Sequence, residues 1–364
     1  MKHPDILKQL TLEQKVALLS GKDVWSTYAF PQAGVPSMVM SDGPHGLRRQ
    51  LGRGDHLGQR PSQPATCFPT AACLAGSWDP ALLEEVGRAL GTEAAAQGVH
   101  MLLGPGMNLK RSPLGGRNFE YFSEDPYLSG KLSAALVRGV QSQGAAACVK
   151  HFAANSQELL RMTSDSVVDE RTFRELYLTG FEIAVKEGRP LGVMSSYNRV
   201  NGAYANENPH LLTEILREEW GFDGIVVTDW GACNRQVDGL KAGSNLEMPG
   251  TQGDSDREVL SALDRGEISL DVIDRRVDEL LDVVLATTEA ARTAPKHFDE
   301  GAHHTLARRA AAESAVLLKN EDSLLPLTPG PESRCWGIWP WSPGTRGRGR
   351  LWSAPPGWTG PWTV

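Results

Sequence analysis

The chain has 364 residues, enough for one large domain or for one domain and a fragment of a second. It is 40% hydrophobic and 22% charged, as ordinary globular proteins are, and its net charge of −7 argues against a nucleic-acid partner. No signal peptide follows Met1, no apolar run approaches the ~20 residues of a membrane span, and the five cysteines lack disulfide-framework or zinc spacing. We therefore expect a cytoplasmic protein with reduced thiols and no membrane partner, metal or cofactor.

Five short apolar runs, each followed by polar or glycine-containing residues, predict β-strands at 37–40, 99–103, 146–149, 191–194 and 225–227. Apolar residues at helical spacing predict helices at 80–97, 128–143, 170–187, 210–220, 271–291 and 305–319. Strands that alternate with helices indicate an α/β fold with a parallel sheet. The number of units favours a (β/α)8 barrel of the TIM type, regular or irregular, over a doubly wound sheet, because no Gly-x-Gly-x-x-Gly follows the first strand. In such barrels the site lies at the C-terminal strand ends, where the polar clusters fall.

The last residues have an unusual composition. After Glu332 there is no Asp, Glu or Lys, and six of the ten tryptophans lie there among Gly, Pro and Arg. Such a composition does not form a core, and it is what GC-rich DNA yields when read out of frame. We hypothesise a frameshift or truncation between Leu327 and Arg334; a genuine disordered tail is the alternative, and resequencing the gene distinguishes the two.

Two aspartates follow predicted strands. Asp229 comes directly after 225–228 and precedes Trp230. A carboxylate there could attack an anomeric carbon and form a covalent glycosyl-enzyme, with the indole as a wall for the sugar. Taken alone, however, Asp229 also fits a cap of the next helix. Asp42 could accept hydrogen bonds from two sugar hydroxyls, or it could be a turn aspartate.

Three basic residues are further candidates. Lys150 and His151 follow another strand and could donate to sugar hydroxyls. Lys150 also fits a Schiff-base lysine, as in barrel aldolases, or a structural lysine. Arg117 lies in a glycine-rich turn, where the residues alone suggest a loop arginine paired with Glu120 or Asp125.

The motifs, in this order and spacing, resemble glycoside hydrolase family 3, specifically its β-glucosidase branch, over about Leu10 to Leu327. The motifs that carry the resemblance are Leu12–Gly21, Ser41–Arg48, Gly116–Pro126, Lys150–Asn155, Met194–Asn198, Val227–Gly231 and Val316–Glu321. The N-acetylglucosaminidase branch usually has Phe-Pro-Gly-His-Gly after Lys-His. Here Phe152–Asn155 reads Phe-Ala-Ala-Asn, which disfavours that branch.

The resemblance implies hydrolysis of terminal non-reducing β-D-glucosyl or related residues by a retaining mechanism, with Asp229 as the nucleophile. The substrate would be a β-glucoside or oligosaccharide, and a homo-oligomer is compatible with the family. The implied sugar pocket, with Glu120 nearby, consists of Asp42, Arg48, Arg117, Lys150, His151, Arg161, Met194, Tyr197 and Trp230.

The chain departs from the family where the second domain is expected. The family's acid/base glutamate comes from an α/β domain beyond a linker, which Leu324–Leu327 resembles, and no Glu follows Glu332. We therefore assign no acid/base residue and promote neither Glu120 nor Glu158. The predicted domains are a barrel at 1–300, a helix and linker towards a missing second α/β domain at 301–332, and an aberrant tail at 333–364. We expect impaired hydrolysis; a non-catalytic sugar-binding remnant is the alternative.

Overall fold

The computed structural model of the protein describes residues 1–52, 54–55, 60–323 and 325–326. At its centre is a parallel sheet of five strands in the order β1-β2-β3-β5-β8. These strands are β1 (Met40–Asp42), β2 (Met101–Leu103), β3 (Ala146–Phe152), β5 (Gly192–Ser195) and β8 (Ile225–Thr228). All five predicted strands are confirmed, although β1 begins at Met40, the last residue of its predicted run. The predicted tail at 333–364 lies outside the described residues.

Isolated bridges continue the pairing beyond both edges of this sheet. They link Val227 to Leu246 and Ser20 to Glu247 in parallel, and Gly21 to Thr27 and Ser26 to Val39 in antiparallel fashion. Because Val39 directly precedes β1, the pairing leads from one edge back to the other. The fold is therefore α/β with a curled parallel sheet.

Helices connect the successive parallel strands, as the sequence predicts. The helices before β8 are Pro4–Gln9, Leu12–Leu18, Ala71–Leu74, Pro80–Ala96, Pro126–Gln141, a continuous segment of α and π turns at 170–188, and the π-type helix His210–Glu219. After β8 come Gln236–Ala242, Asp254–Asp264, Leu270–Thr293 and Glu300–Glu313. The helix Glu300–Glu313 confirms the predicted helix at 305–319 as far as Glu313, and the predicted extension over 314–319 is wrong.

The beginnings of two of these helices follow from an Asp-Pro pair. Asp79 accepts the backbone N–H groups of Ala81 and Leu82, and Asp125 caps the helix at Pro126 in the same way. Proline fits the first helical turn because that turn has no acceptor for its N–H. Of the two acidic partners that the sequence suggests for Arg117, Glu120 pairs with it, whereas Asp125 Oδ1 caps this helix.

Every residue of the five parallel strands is buried. Side chains alternate between two hydrophobic clusters, so that Leu102, Val193 and Val226 belong to one and Met194 and Val227 to the other. A parallel sheet covered on both faces needs continuous apolar strands, which explains why the strand signals in the sequence are runs and not alternations.

A second, three-stranded sheet was not predicted. It consists of β4 (Asp165–Ser166), β6 (Arg199–Val200) and β7 (Ala203–Tyr204). The β6–β7 hairpin turns at Asn201 and Gly202, which both have positive φ, as a two-residue hairpin turn requires. Two-residue strands leave no periodicity in a sequence. Among the described helices, none is both long and apolar enough to cross a bilayer.

Candidate active site

The C-terminal ends of the parallel strands bring the predicted site residues together around one small cavity. Six of the ten line it directly: Asp42, Arg48, Lys150, Met194, Asp229 and Trp230, together with Trp25 and Leu103. Of the other four, Arg117, His151 and Tyr197 contact these residues, and Arg161 contacts Tyr197. β1, β3, β5 and β8 thus position this cluster because polar side chains follow each buried apolar run.

A larger, more open cleft lies elsewhere, lined in part by Arg199, Tyr204, Glu207, Asp238 and Lys241. Its acidic groups already have partners. Asp238 pairs with Arg235 at 3.1 Å, and Glu207 accepts the backbone N–H groups of Asn234 and Arg235. Because the buried charges lie in the smaller cavity, we place the candidate site there.

One side of the cavity consists of ion pairs. Lys150 Nζ donates to Asp42 Oδ1 at 2.8 Å, and Arg48 Nη2 lies 3.4 Å from Asp42 Oδ2. Lys150 Nζ is also 3.9 Å from Glu120 Oε2. All four side chains are buried, and Lys150 is 0% exposed. Asp42 is therefore part of a charge cluster and not a free turn residue.

The other side is built around Asp229, which is 1% exposed. Its Oδ1 accepts the backbone N–H of Trp230 at 2.8 Å. Its Oδ2 lies 3.6 Å from Arg117 Nη1 and 3.5 Å from His151 Nε2, and neither Oδ2 nor Nη1 makes a hydrogen bond. The next helix begins at Gln236, so Asp229 is not a helix cap.

Arg117 is the link between Asp229 and the ion pairs. Its Nε donates to Glu120 Oε1 at 2.5 Å, and its Nη2 lies 2.6 Å from His151 Nε2. Because a guanidinium can only donate, His151 Nε2 accepts and the imidazole proton is on Nδ1, which faces Tyr121 Oη at 3.1 Å. Asn108 fixes the His151 backbone by a pair of 2.7 Å hydrogen bonds.

The pKa values of Arg117 and Tyr121 indicate that the arginine is always charged and the tyrosine neutral. Burial disfavours the charged form of Arg117, yet the nearby carboxylates of Glu120 and Asp229 help to raise its pKa well above the ordinary value. Burial raises the pKa of Tyr121, so its phenol is neutral. Arg117 is therefore a permanent cation beside Asp229.

Tyr197 and Arg161 extend the site on the side of Trp230. Tyr197 Oη donates to the Trp230 carbonyl at 3.0 Å. The Arg161 guanidinium stacks over the Tyr197 ring at 4.4 Å and pairs with Glu158 at 2.7 Å. All ten residues predicted for the site thus form one contiguous network.

Sequence reasoning missed three residues of this network: Trp25, Asn108 and Tyr121. Tyr121 lies inside the Gly116–Pro126 motif, and a buried aromatic beside a candidate arginine is a usable signal. Trp25 and Asn108 come from segments without periodicity, and only the fold brings them here. Among the described residues no group of three His, Cys, Asp or Glu side chains could hold a metal, and the four described cysteines are free thiols.

The chain matches known proteins over most of its length. The model of the glycosyl hydrolase family 3 N-terminal domain matches residues 31–283. Thermostable beta-glucosidase B of Acetivibrio thermocellus is 55% identical over 322 residues, 88% of this chain and 42% of the relative. An exo-alpha-(1->6)-L-arabinopyranosidase of Bifidobacterium longum is 46% identical over 326 residues, 89% of this chain and 43% of the relative.

A solved structure shows the same similarity in three dimensions. Beta-glucosidase 3B from Thermotoga neapolitana in complex with glucose superposes with a TM-score of 0.84 at 44% identity, over 90% of this chain and 48% of that chain. The chain therefore spans less than half the length of these relatives. The family match covers all five parallel strands and all ten predicted site residues, from Asp42 to Trp230. The chain therefore belongs to glycosyl hydrolase family 3.

Proposed function

We propose that the chain carries the nucleophile and sugar pocket of a retaining β-glucosidase, with Asp229 as the nucleophile. The hydrolysed residues are terminal non-reducing β-D-glucosyl groups or related pyranosides. One observation carries the proposal: Asp229 Oδ2 is buried, makes no hydrogen bond, and lies beside Arg117 and His151 in a cavity lined by charged side chains. A nucleophile must keep one oxygen available for the anomeric carbon.

In this mechanism Asp229 Oδ2 bonds to the anomeric carbon while the glycosidic C–O bond breaks. Water then attacks the same carbon and releases the sugar with retained configuration. The hydrogen bond from the Trp230 N–H fixes Oδ1, so only Oδ2 faces the substrate. Asp42, Arg48 and Lys150 bind the hydroxyl groups of the sugar. A ligand without these hydroxyls is rejected, because it would leave the buried polar groups without hydrogen-bond partners.

We assign no acid/base residue among the described residues. A retaining glycosidase needs a second carboxyl group about 5–5.5 Å from the first, to protonate the leaving oxygen. Asp42 accepts a hydrogen bond from Lys150, and Glu120 accepts one from Arg117. Both carboxylates therefore act as hydrogen-bond acceptors and not as proton donors. We propose that this 364-residue chain hydrolyses natural disaccharides about 10²–10⁴-fold less well than a complete site does, while nitrophenyl glycosides are spared in the first step.

We also propose the division of the chain that the sequence indicates. Residues 1–300 form an irregular (β/α)8-type barrel, supported by the parallel strands and the bridges that join the sheet edges. Residues 301–332 are the helix and linker towards a second α/β domain, and 333–364 are the aberrant tail.

Covalent trapping tests the assignment of Asp229. The full chain is incubated with 2,4-dinitrophenyl 2-deoxy-2-fluoro-β-D-glucoside, whose leaving group needs no proton. We expect an intact-mass increase of one fluoroglucosyl group that maps to Asp229, and none in Asp229→Asn. Labelling at another residue contradicts the proposal.

The second candidate is a non-catalytic sugar-binding remnant, favoured by the ion-paired state of the neighbouring carboxylates. A parent chain that binds glucose but is never labelled supports it. A Schiff-base role for Lys150 is disfavoured, because its ammonium group is held by two buried carboxylates and a Schiff-base lysine reacts as a free amine.

A further inference from the structure

Trp25 lies before the residues that the family model matches, yet its side chain lines the cavity. The indole is 7% exposed and packs against Trp230, with ring centroids 5.2 Å apart and planes tilted by 41°. The Arg48 guanidinium lies 5.7 Å from its ring. Trp25 therefore contacts residues on both sides of the cavity.

The backbone holds Trp25 in a tight hairpin. Asp23 Oδ1 accepts the N–H groups of Trp25 and Ser26, and Lys22 N donates to Ser26 O. The Trp25 carbonyl in turn accepts the N–H of Met40, the first residue of β1. A side chain on so constrained a segment has a fixed position relative to the sheet.

Two further residues, Gln50 and Gly54, fix the indole itself. Its Nε1 donates to Gln50 Oε1 at 3.0 Å. Gly54 lies so close that a Cβ added there would be 2.6 Å from Trp25 Cδ1. A methyl group at position 54 would therefore displace the ring.

The same segment also holds the residue that follows the nucleophile. Trp230 Nε1 donates to the Val24 carbonyl at 2.8 Å, so Val24 fixes one indole and Trp25 packs on it. Both rings thus form one aromatic corner in a cavity that is otherwise lined by four charged side chains, Leu103 and Met194. Apolar C–H groups of a pyranoside pack on aromatic rings, while its hydroxyls need charged or polar partners.

We propose that Trp25 is a substrate-binding residue that forms, with Trp230, the apolar wall for the ring of the bound sugar. The ligand class is a pyranoside whose hydroxyl groups lie around the ring edge and leave a C–H face for the indoles. This inference rests on the proposed function, but it concerns equilibrium binding and does not need Asp229 to react.

Glucose binding to the full chain, measured by calorimetry, tests the role of Trp25. We expect Trp25→Leu to raise the Kd for glucose at least about tenfold, because the flat face is lost, and Trp25→Phe to stay within about threefold of the parent. Gly54→Ala, which alters no cavity-lining side chain, should weaken binding severalfold by displacing the indole. Circular dichroism confirms that each variant is folded.

Trp220 provides the matched control. It is also 7% exposed, but it packs on Phe152 in the other hydrophobic cluster. Trp220→Leu should lower the melting temperature yet leave the Kd for glucose within about twofold of the parent. If Trp25→Leu folds and binds glucose like the parent, or is no weaker than Trp220→Leu, the proposal is wrong. If Trp25→Leu does not fold, unchanged binding by Gly54→Ala overturns it.

The outcomes separate this proposal from the assignment of Asp229. A parent that binds glucose, a Trp25→Leu variant that binds it weakly, and no covalent label together support Trp25 and refute the nucleophile. A parent that is labelled at Asp229 but does not bind glucose refutes only the role of Trp25, and a parent that is neither labelled nor binds glucose refutes both proposals.

Discussion

The two sides of the cavity differ in how their charges are satisfied. On one side Asp42 is held by Lys150 and Arg48, and Glu120 is held by Arg117. On the other side the Oδ2 atom of Asp229 and the facing Nη1 atom of Arg117 make no hydrogen bond, although both are buried. The same kind of side chain, an aspartate at the end of a parallel strand, thus occurs in one site with both oxygens hydrogen-bonded to cationic side chains and with one oxygen that accepts no hydrogen bond.

The difference indicates that the ion pairs of Asp42 stabilise the fold, whereas Asp229 Oδ2 is available for the reaction. A buried ion pair is a fixed part of the fold, since removal of one partner leaves a buried charge alone. A buried atom with no partner costs stability and is kept where a ligand completes it. Mutations of the two aspartates should therefore differ in their effect on the free energy of unfolding, and the predictions below test this contrast.

The largest expected effect is the loss of activity in Asp229→Asn. Asparagine keeps the acceptor for the Trp230 N–H but cannot serve as the carboxylate nucleophile, so release of nitrophenol from an aryl β-glucoside should fall at least about 10³-fold. Initial rates with the parent, measured by absorbance, give the reference. A variant that keeps more than about a tenth of the parent rate contradicts the contrast.

Next in size is the loss of stability in Asp42→Asn. The change removes the partner at 2.8 Å from the Lys150 ammonium and should lower the free energy of unfolding by about 3–5 kcal/mol. Urea denaturation followed by circular dichroism measures it, and Asp42→Glu serves as a variant that keeps the charge. A loss below about 1 kcal/mol in Asp42→Asn would mean that the Asp42–Lys150 ion pair does not stabilise this side of the cavity.

The paired side should also respond to acid, through His45. His45 is buried, its Nε2 accepts the N–H of Ala71 at 2.8 Å, and burial lowers its pKa from 6.5 to about 4. The unfolded chain takes up a proton at about pH 6.5, whereas the folded chain does so only at about pH 4. His45 therefore contributes stability that is present above pH 6.5 and is lost as the pH falls, about 3 kcal/mol by pH 4.

Denaturation at a series of pH values isolates this contribution when the parent is compared with His45→Gln. The glutamine can accept the Ala71 N–H but does not titrate, so the difference in stability between the two chains should shrink or reverse between pH 7 and pH 4. Parallel pH profiles of the two chains would show that His45 takes up its proton at the same pH in the folded and the unfolded chain, which contradicts the prediction.

Much of this contrast could be anticipated from the sequence, but its physical basis could not. Apolar runs that end in Asp42, Lys150 or Asp229 predict the strands and their polar ends, because buried parallel strands need such runs. Spacing cannot tell which aspartate is paired, since Lys150 lies 108 positions from Asp42 and meets it only across the sheet. On the residues alone, Asp229 fits a helix cap as well as a nucleophile, and only the start of the next helix at Gln236 excludes the cap.

Short elements and distant contacts explain the remaining differences. The two-residue strands β4, β6 and β7 are too short to leave a periodic pattern in the sequence. The helix predicted to reach residue 319 ends at Glu313, and the apolar residues that follow it are not helical. Trp25 reaches the cavity through a hairpin held by Asp23, a local turn that apolar periodicity does not reveal.

The smallest expected effect is also the one that separates the two sides most sharply. Asp229→Asn removes a buried charge whose Oδ2 has no hydrogen bond, and Arg117 keeps Glu120 as its partner. The free energy of unfolding should therefore rise slightly, by no more than about 1 kcal/mol, although activity is lost. Urea denaturation of Asp229→Asn and Asp42→Asn under identical conditions measures the contrast. If Asp229→Asn is destabilised as much as Asp42→Asn, the Arg117–Asp229 contact stabilises the fold, and the absence of a hydrogen bond to Oδ2 does not distinguish the two aspartates.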